Sequence, residues 1–194
     1  MAIALAGSEA PALQRSSFVT TALYATIWLS MFLFVAGEAG KRFVRADNTP
    51  KWPWWAWTIG VTFCAVHMAI AMAVHYGWNH QAAVRATAEQ AAAVYGITWT
   101  GGLYVNYVFL LIWAGETAWW AISTRAYLSR GAALVWSLRA FYFVIIVNAV
   151  VVFARPAMRP AGLLLLAALV VSWIRINAPR PTPPAATIGT PPCR

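Results

Sequence analysis

The 194-residue chain is 61% apolar and only 10% charged, against about 25% charged in an ordinary soluble domain. A water-facing surface would have to be built from Leu, Val, Ala and Trp, which excludes a soluble globular domain and leaves lipid as the solvent. The +9 net charge comes from 14 basic and 5 acidic residues; the cations gather between apolar runs, as in a positive-inside membrane protein and not as in a nucleic-acid-binding stripe.

Met1–Ser16 lacks a charged start, a short apolar core and a cleavage site in succession, so no signal peptide is expected. The first apolar run covers about Phe18 to Gly37, the second Trp54 to Trp78, the third Gly101 to Ile122 and the fourth Leu134 to Ala154. Each has about the 20 residues that a helix needs to cross the hydrocarbon core. A fifth and shorter run, Ala161 to Ile174, is fenced by Pro160 and Arg175 and is a short span or a re-entrant segment. The expected fold is all-α: one integral membrane bundle over residues 1–177 with five transmembrane helices, or four if the last run does not cross.

Between the second and third runs, His80 to Tyr95 is Ala-rich and carries Arg85 and Glu89 four residues apart, which predicts a surface helix ended by Gly96. From residue 178 onward prolines dominate, and the tail 178–194 is expected to be an extended, disordered tether. Cys64, inside an apolar run, and Cys193, in the tail, have no spacing that suggests a disulfide or a metal knuckle.

Counting Lys and Arg by side gives an orientation. Lys41, Arg42, Arg45, Lys51, Arg125, Arg130, Arg175, Arg180 and Arg194 fall on one side; Arg15, Arg85, Arg155 and Arg159 fall on the other. The richer side is cytoplasmic, which places the N-terminus outside. Trp52, Trp54, Trp55, Trp57, Trp119 and Trp120 are expected to mark the cytoplasmic interface, and Trp78 and Trp99 the opposite one. Arg-over-Lys, Ala-rich and Trp-rich usage fits a GC-rich bacterial genome, and so a bacterial inner membrane.

Ionisable and polar residues within spans are costly and are candidates for function. On the second span Gly60, Cys64, His67, Met68, Ala71 and His75 share one face. His67 and His75 lie about 12 Å apart along the axis, too far to share one ion. With Asn106 and Tyr107 of the third span they form a candidate cofactor site for haem b or a quinone, in which a haem would need a non-His ligand or a partner subunit. Near the cytoplasmic side Glu38, Glu116 and Arg139 are expected at similar depth, with Glu116 pairing Arg139 and Glu38 nearby. The functional alternative for that cluster is a proton relay or ion site. On the outer side His75, His80, Tyr95, Trp99, Tyr104, Asn106 and Tyr107 form a candidate aromatic mouth. Asn148, in the fourth span, is expected to make an interhelical hydrogen bond.

There is no phosphate loop, no Gly-x-Ser-x-Gly elbow, no H-E-x-x-H and no C-x-x-C in the sequence. The first functional expectation is therefore a non-catalytic accessory or assembly subunit, partnered by the bilayer and other membrane subunits and not by nucleic acid. A haem- or quinone-binding redox protein using His67 and His75 is the first alternative. A proton- or ion-coupled transporter using Glu116 and Arg139 is the second.

Overall fold

The structure is a computed structural model that describes residues 6–44 and 50–177, with the side chains of residues 18–44 and 50–174. The tail 178–194, with Cys193, lies outside the described residues. Among the described residues seven α-helices follow one another: α1 (Ala6–Gly40), α2 (Trp52–Tyr76), α3 (His80–Tyr95), α4 (Gly102–Ile122), α5 (Thr124–Leu128), α6 (Ala132–Val147) and α7 (Arg159–Asn177). Short 3-10 turns at Lys41–Phe43 and Pro156–Met158 and a π-helical turn at Asn148–Val152 complete the elements. There is no strand among the described residues.

Among the described residues four stretches are long and apolar enough to cross a membrane: Phe18–Phe43, Trp52–Tyr76, Ala132–Val152 and Pro156–Ile174. The chain is thus an all-helical, multi-pass membrane protein. The marginal fifth run of the sequence is among these four, within a helix that extends it at both ends. Helix α4, the third run, is 21 residues long, but three Trp, two Tyr, Asn106 and Glu116 lower its mean hydropathy.

The helix limits follow local chemistry. Pro53 sits in the first turn of α2, where its missing N–H costs nothing. That helix stops at Tyr76, before the expected Trp78, because Gly77 (φ 52°) and Trp78 (φ 63°) both turn left-handed. The amide of Trp78 donates to the Met72 carbonyl at 3.0 Å, closing the last turn. Asn79 then caps α3, its side chain accepting from the Ala82 amide at 3.0 Å. Helix α3 buries Ala83, Ala88 and Ala91 against α2 and α4, leaves Arg85 and Glu89 exposed, and ends at Gly96 (φ 71°).

The long helices close a ring: α1 packs on α2, α2 on α4, α4 on α6, α6 on α7 and α7 on α1. At its centre Phe34 stacks on Trp57 at 4.9 Å and meets the edges of Trp113 at 4.9 Å and Tyr142 at 5.1 Å. One aromatic residue from each of α1, α2, α4 and α6 thus fills the core. Trp57 and Trp120 are buried in this core, not in the interfacial belt expected of them. The cause is the close approach of α1 to α2. A Cβ on Gly37 would lie 3.0 Å from the Trp57 ring, and one on Gly40 2.6 Å from Pro53. Trp52, Trp55, Trp78, Trp99 and Trp119 are exposed.

Side-chain bonds fix the relative direction of the helices. Trp54 Nε1 donates to the Thr117 carbonyl at 3.2 Å, joining the start of α2 to the end of α4. Trp173 Nε1 donates to Glu38 Oε2 at 2.7 Å, joining the ends of α7 and α1. Tyr142 donates to Glu116 at 2.6 Å, and Val135, Leu138 and Arg139 of the first half of α6 line the same cavity as Glu116 and Glu38. Helices α1, α4 and α7 therefore end where α2 and α6 begin.

Candidate functional site

At that shared end, ionisable side chains line a cavity of about 30 Å³: Glu38, Lys41, Glu116, Arg130, Arg139 and Tyr142, with Val135 and Leu138 as apolar walls. Glu38 is 3%, Glu116 6% and Arg139 8% exposed. The three residues that the sequence placed at one depth thus meet at one cavity, although their partners differ from those expected.

Glu38 lies one turn before the end of α1, and the 3-10 turn that follows curls Lys41 back onto it at i,i+3 spacing. Lys41 Nζ pairs with Oε1 of Glu38, while Trp173 of α7 holds Oε2. The same ammonium lies 3.5 Å above the Trp57 ring, with Tyr127 and Trp120 at 5.3 and 5.7 Å, an aromatic box that stabilises the cation by cation–π attraction.

Arg130 reaches Glu116 through a reversal of the chain. Helix α4 ends at Ser123, whose hydroxyl caps α5 by accepting from the Ala126 amide at 3.3 Å. The single turn of α5 lays Tyr127 parallel to Trp120, ring centroids 5.1 Å apart. Arg130 then stacks on Tyr127, its Cζ 3.6 Å from the ring centroid, and pairs with Oε1 of Glu116. The pair is well enclosed, with side-chain exposures of 8% for Arg130 and 7% for Glu116. Burial lowers the Arg130 guanidinium from its ordinary range, opposed by the charge of Glu38. Burial, reinforced by Glu38 and Tyr142, pushes the Tyr127 phenol well above its ordinary range, so it stays neutral.

The expected Glu116–Arg139 pair is thereby corrected: Arg130 takes Oε1 and Tyr142 takes Oε2 at 2.6 Å. Arg139 instead lies between two indoles, 5.1 Å from Trp136 and 5.7 Å from Trp173. Its Nη1 is buried without a hydrogen-bond partner among the described residues. Sequence reading treated Lys41 and Arg130 as loop cations and did not single out Tyr127, Tyr142 or Trp173. The i,i+3 spacing of Glu38 and Lys41 was the one available signal.

The candidate cofactor residues do not converge. His67 Nδ1 lies 3.0 Å from the Leu23 carbonyl and 3.3 Å from the Thr26 hydroxyl, which tie it to α1. His75 and Asn106 are exposed. Tyr107 stacks on His80 at 5.9 Å and approaches Met72 Sδ at 4.0 Å. No hydrogen bond or ring contact among the described residues joins His67, His75, Asn106 and Tyr107 to one another, and none of the described His, Cys, Asp and Glu form a group able to hold a metal ion. The polar face of α2 is spent on packing: Ser30 donates to the Gly60 carbonyl at 2.8 Å, and a Cβ on Gly60 would meet Trp113 at 2.8 Å.

Of the residues expected at an aromatic mouth, His80, Tyr104 and Tyr107 do gather, with His80 Nε2 3.2 Å from the Tyr104 hydroxyl. Tyr95 turns away to donate to Asn148 Oδ1, the interhelical bond expected of that asparagine. Comparison with known protein families, curated proteins and solved structures found no match.

Proposed function

We propose that the chain is a five-span membrane protein of the bacterial inner membrane, N-terminus outside, acting as a non-catalytic accessory or assembly subunit of a larger membrane complex. Four of the spans are the apolar stretches described above. Helix α4 is the fifth: at 1.5 Å per residue its 21 residues are about 31 Å long, and it occupies a place in the ring between α2 and α6. Its Phe109, Trp113, Glu116 and Trp120 side chains are buried in the bundle and not offered to lipid.

The observation that carries the non-catalytic reading is the saturation of the two carboxylates. Lys41 and Trp173 occupy both oxygens of Glu38, and Arg130 and Tyr142 both oxygens of Glu116. Such a network locks helix ends together, whereas a proton relay needs a carboxylate that can change partners. The Phe34, Trp57 and Trp113 rings beneath it fill the path toward the other face. Purification in mild detergent tests the reading: a colourless protein that co-purifies with larger membrane subunits is the expected result. A colourless monomer under every solubilising condition overturns it.

One observation favours the redox alternative enough to keep it. The Leu23 carbonyl and Thr26 hold His67 through Nδ1, which leaves Nε2 as the nitrogen for a ligand. A Soret band that vanishes in His67→Ala would establish that reading in place of the first.

A further inference from the structure

We infer that the cavity at the Arg139 end of the bundle binds a monovalent oxyanion of carboxylate or phosphate-ester chemistry, with the Arg139 guanidinium as its main donor. The charges lining the cavity do not balance. Among the described residues, Lys41, Arg130 and Arg139 face two carboxylates, Glu38 and Glu116, so one cation is in excess. The two ion pairs assign Lys41 to Glu38 and Arg130 to Glu116, and the excess charge resides on Arg139.

Arg139 cannot discharge that excess into water, being 8% exposed, and its Nη1 has no partner among the described residues. A second donor in the same cluster, Arg130 Nε, is also buried and unpartnered. The four carboxylate oxygens already have Lys41, Trp173, Arg130 and Tyr142 as donors. Among the described residues the site is therefore short of acceptors and not of donors, which selects an anion over a cation or a neutral donor.

The shape selects within the anions. The Trp136 and Trp173 rings lie 5.1 and 5.7 Å from the guanidinium carbon, and the planar guanidinium fork matches the paired oxygens of a carboxylate or phosphate. A cavity of about 30 Å³ admits the oxyanion group alone, so the rest of a larger ligand stays outside. Arg139 is about 10 Å from the start of α6, within reach of a headgroup phosphate at the membrane surface. The same chemistry comes from two sources, an anionic lipid or a small anion from the aqueous phase.

The test uses the isolated full chain, so it is independent of whether partner subunits exist. Native mass spectra are recorded after reconstitution with phosphatidylcholine alone or with phosphatidylglycerol added, and tryptophan fluorescence is followed during titration with inorganic phosphate. Selective retention of phosphatidylglycerol identifies a lipid site, and a saturable fluorescence change with phosphate identifies a free-anion site. In either case Arg139→Gln weakens the response by about tenfold or more, Arg139→Lys restores part of it, and Arg155→Gln, at the other end of the bundle, leaves it unchanged. Equal retention of both lipids together with no phosphate response in the wild-type chain overturns the inference. So does an unchanged response in folded Arg139→Gln; if that variant does not fold, the wild-type comparison decides alone.

Discussion

Removing the charge of Glu116 leaves Arg130 stacked on Tyr127 and enclosed at 8% side-chain exposure, without its ion-pair partner. Breaking a buried pair on one side costs roughly 3–5 kcal/mol, because the surviving charge is stranded in low dielectric. Glu116→Gln is therefore expected to lower thermal stability in detergent sharply, read by tryptophan fluorescence. The double variant Glu116→Gln/Arg130→Gln is expected to recover part of the loss, since it strands no charge. A proton relay predicts the opposite pattern, with Glu116→Gln folded and stable and only an activity lost. Tyr142→Phe removes one donor to a carboxylate that keeps its cation and is expected to cost about 1–3 kcal/mol. At this scale the sequence made the depth of Glu38, Glu116 and Arg139 legible, because a charge inside an apolar run is conspicuous. It hid the partner of Glu116. Arg130 is 14 residues further on, beyond the end of α4, and only the reversal through α5 brings it back. No periodicity encodes that return.

The elements owe their packing to a few glycines whose role is steric. At Gly162 in α7 a Cβ would lie 2.0 Å from the Val150 carbonyl oxygen, so the helix backbone of α7 rides directly on the π-helical turn of the preceding segment. That turn is held by the Phe153 amide donating to the Asn148 carbonyl at 2.9 Å, an i to i+5 bond. Gly162→Ala is expected to force the two segments apart and destabilise the bundle by about 1–3 kcal/mol, again measured as a drop in unfolding temperature. A stability equal to wild type would mean that α7 does not sit this close. The end of α3 was legible in Gly96, whereas the second run was read through to Trp78 although Gly77 and Asn79 carry the local chemistry that ends α2 and caps α3. The π-helical turn was not legible, because its cause is a contact with another helix. The same holds for Trp57: alone it reads as an interfacial anchor, and only the glycine-lined end of α1 makes room to bury it.

Across the whole molecule, the crossing of α4 decides where everything after it lies. Its buried face is aromatic and acidic, so hydropathy alone ranks it below the other four long helices. Its place in the ring argues for a span, and the joined ends of α1, α4 and α7 argue that it runs the full depth. Two exposed positions separate the possibilities: Gln81 in α3, before α4, and Ser129, after it. If α4 crosses, those positions lie on opposite sides of the membrane; if it does not, they lie on the same side. Gln81→Cys and Ser129→Cys, each made in a Cys193→Ser background so that buried Cys64 is the remaining native thiol, are to be probed in intact spheroplasts with a membrane-impermeant maleimide. The proposed orientation, which puts the Lys- and Arg-rich end with Lys41 and Arg130 on the cytoplasmic side, predicts labelling of Gln81→Cys without lysis and of Ser129→Cys only after lysis. Labelling of both before lysis would remove α4 from the spans. The reverse labelling would keep five spans and invert the orientation, placing the Arg139 cavity at the outer leaflet.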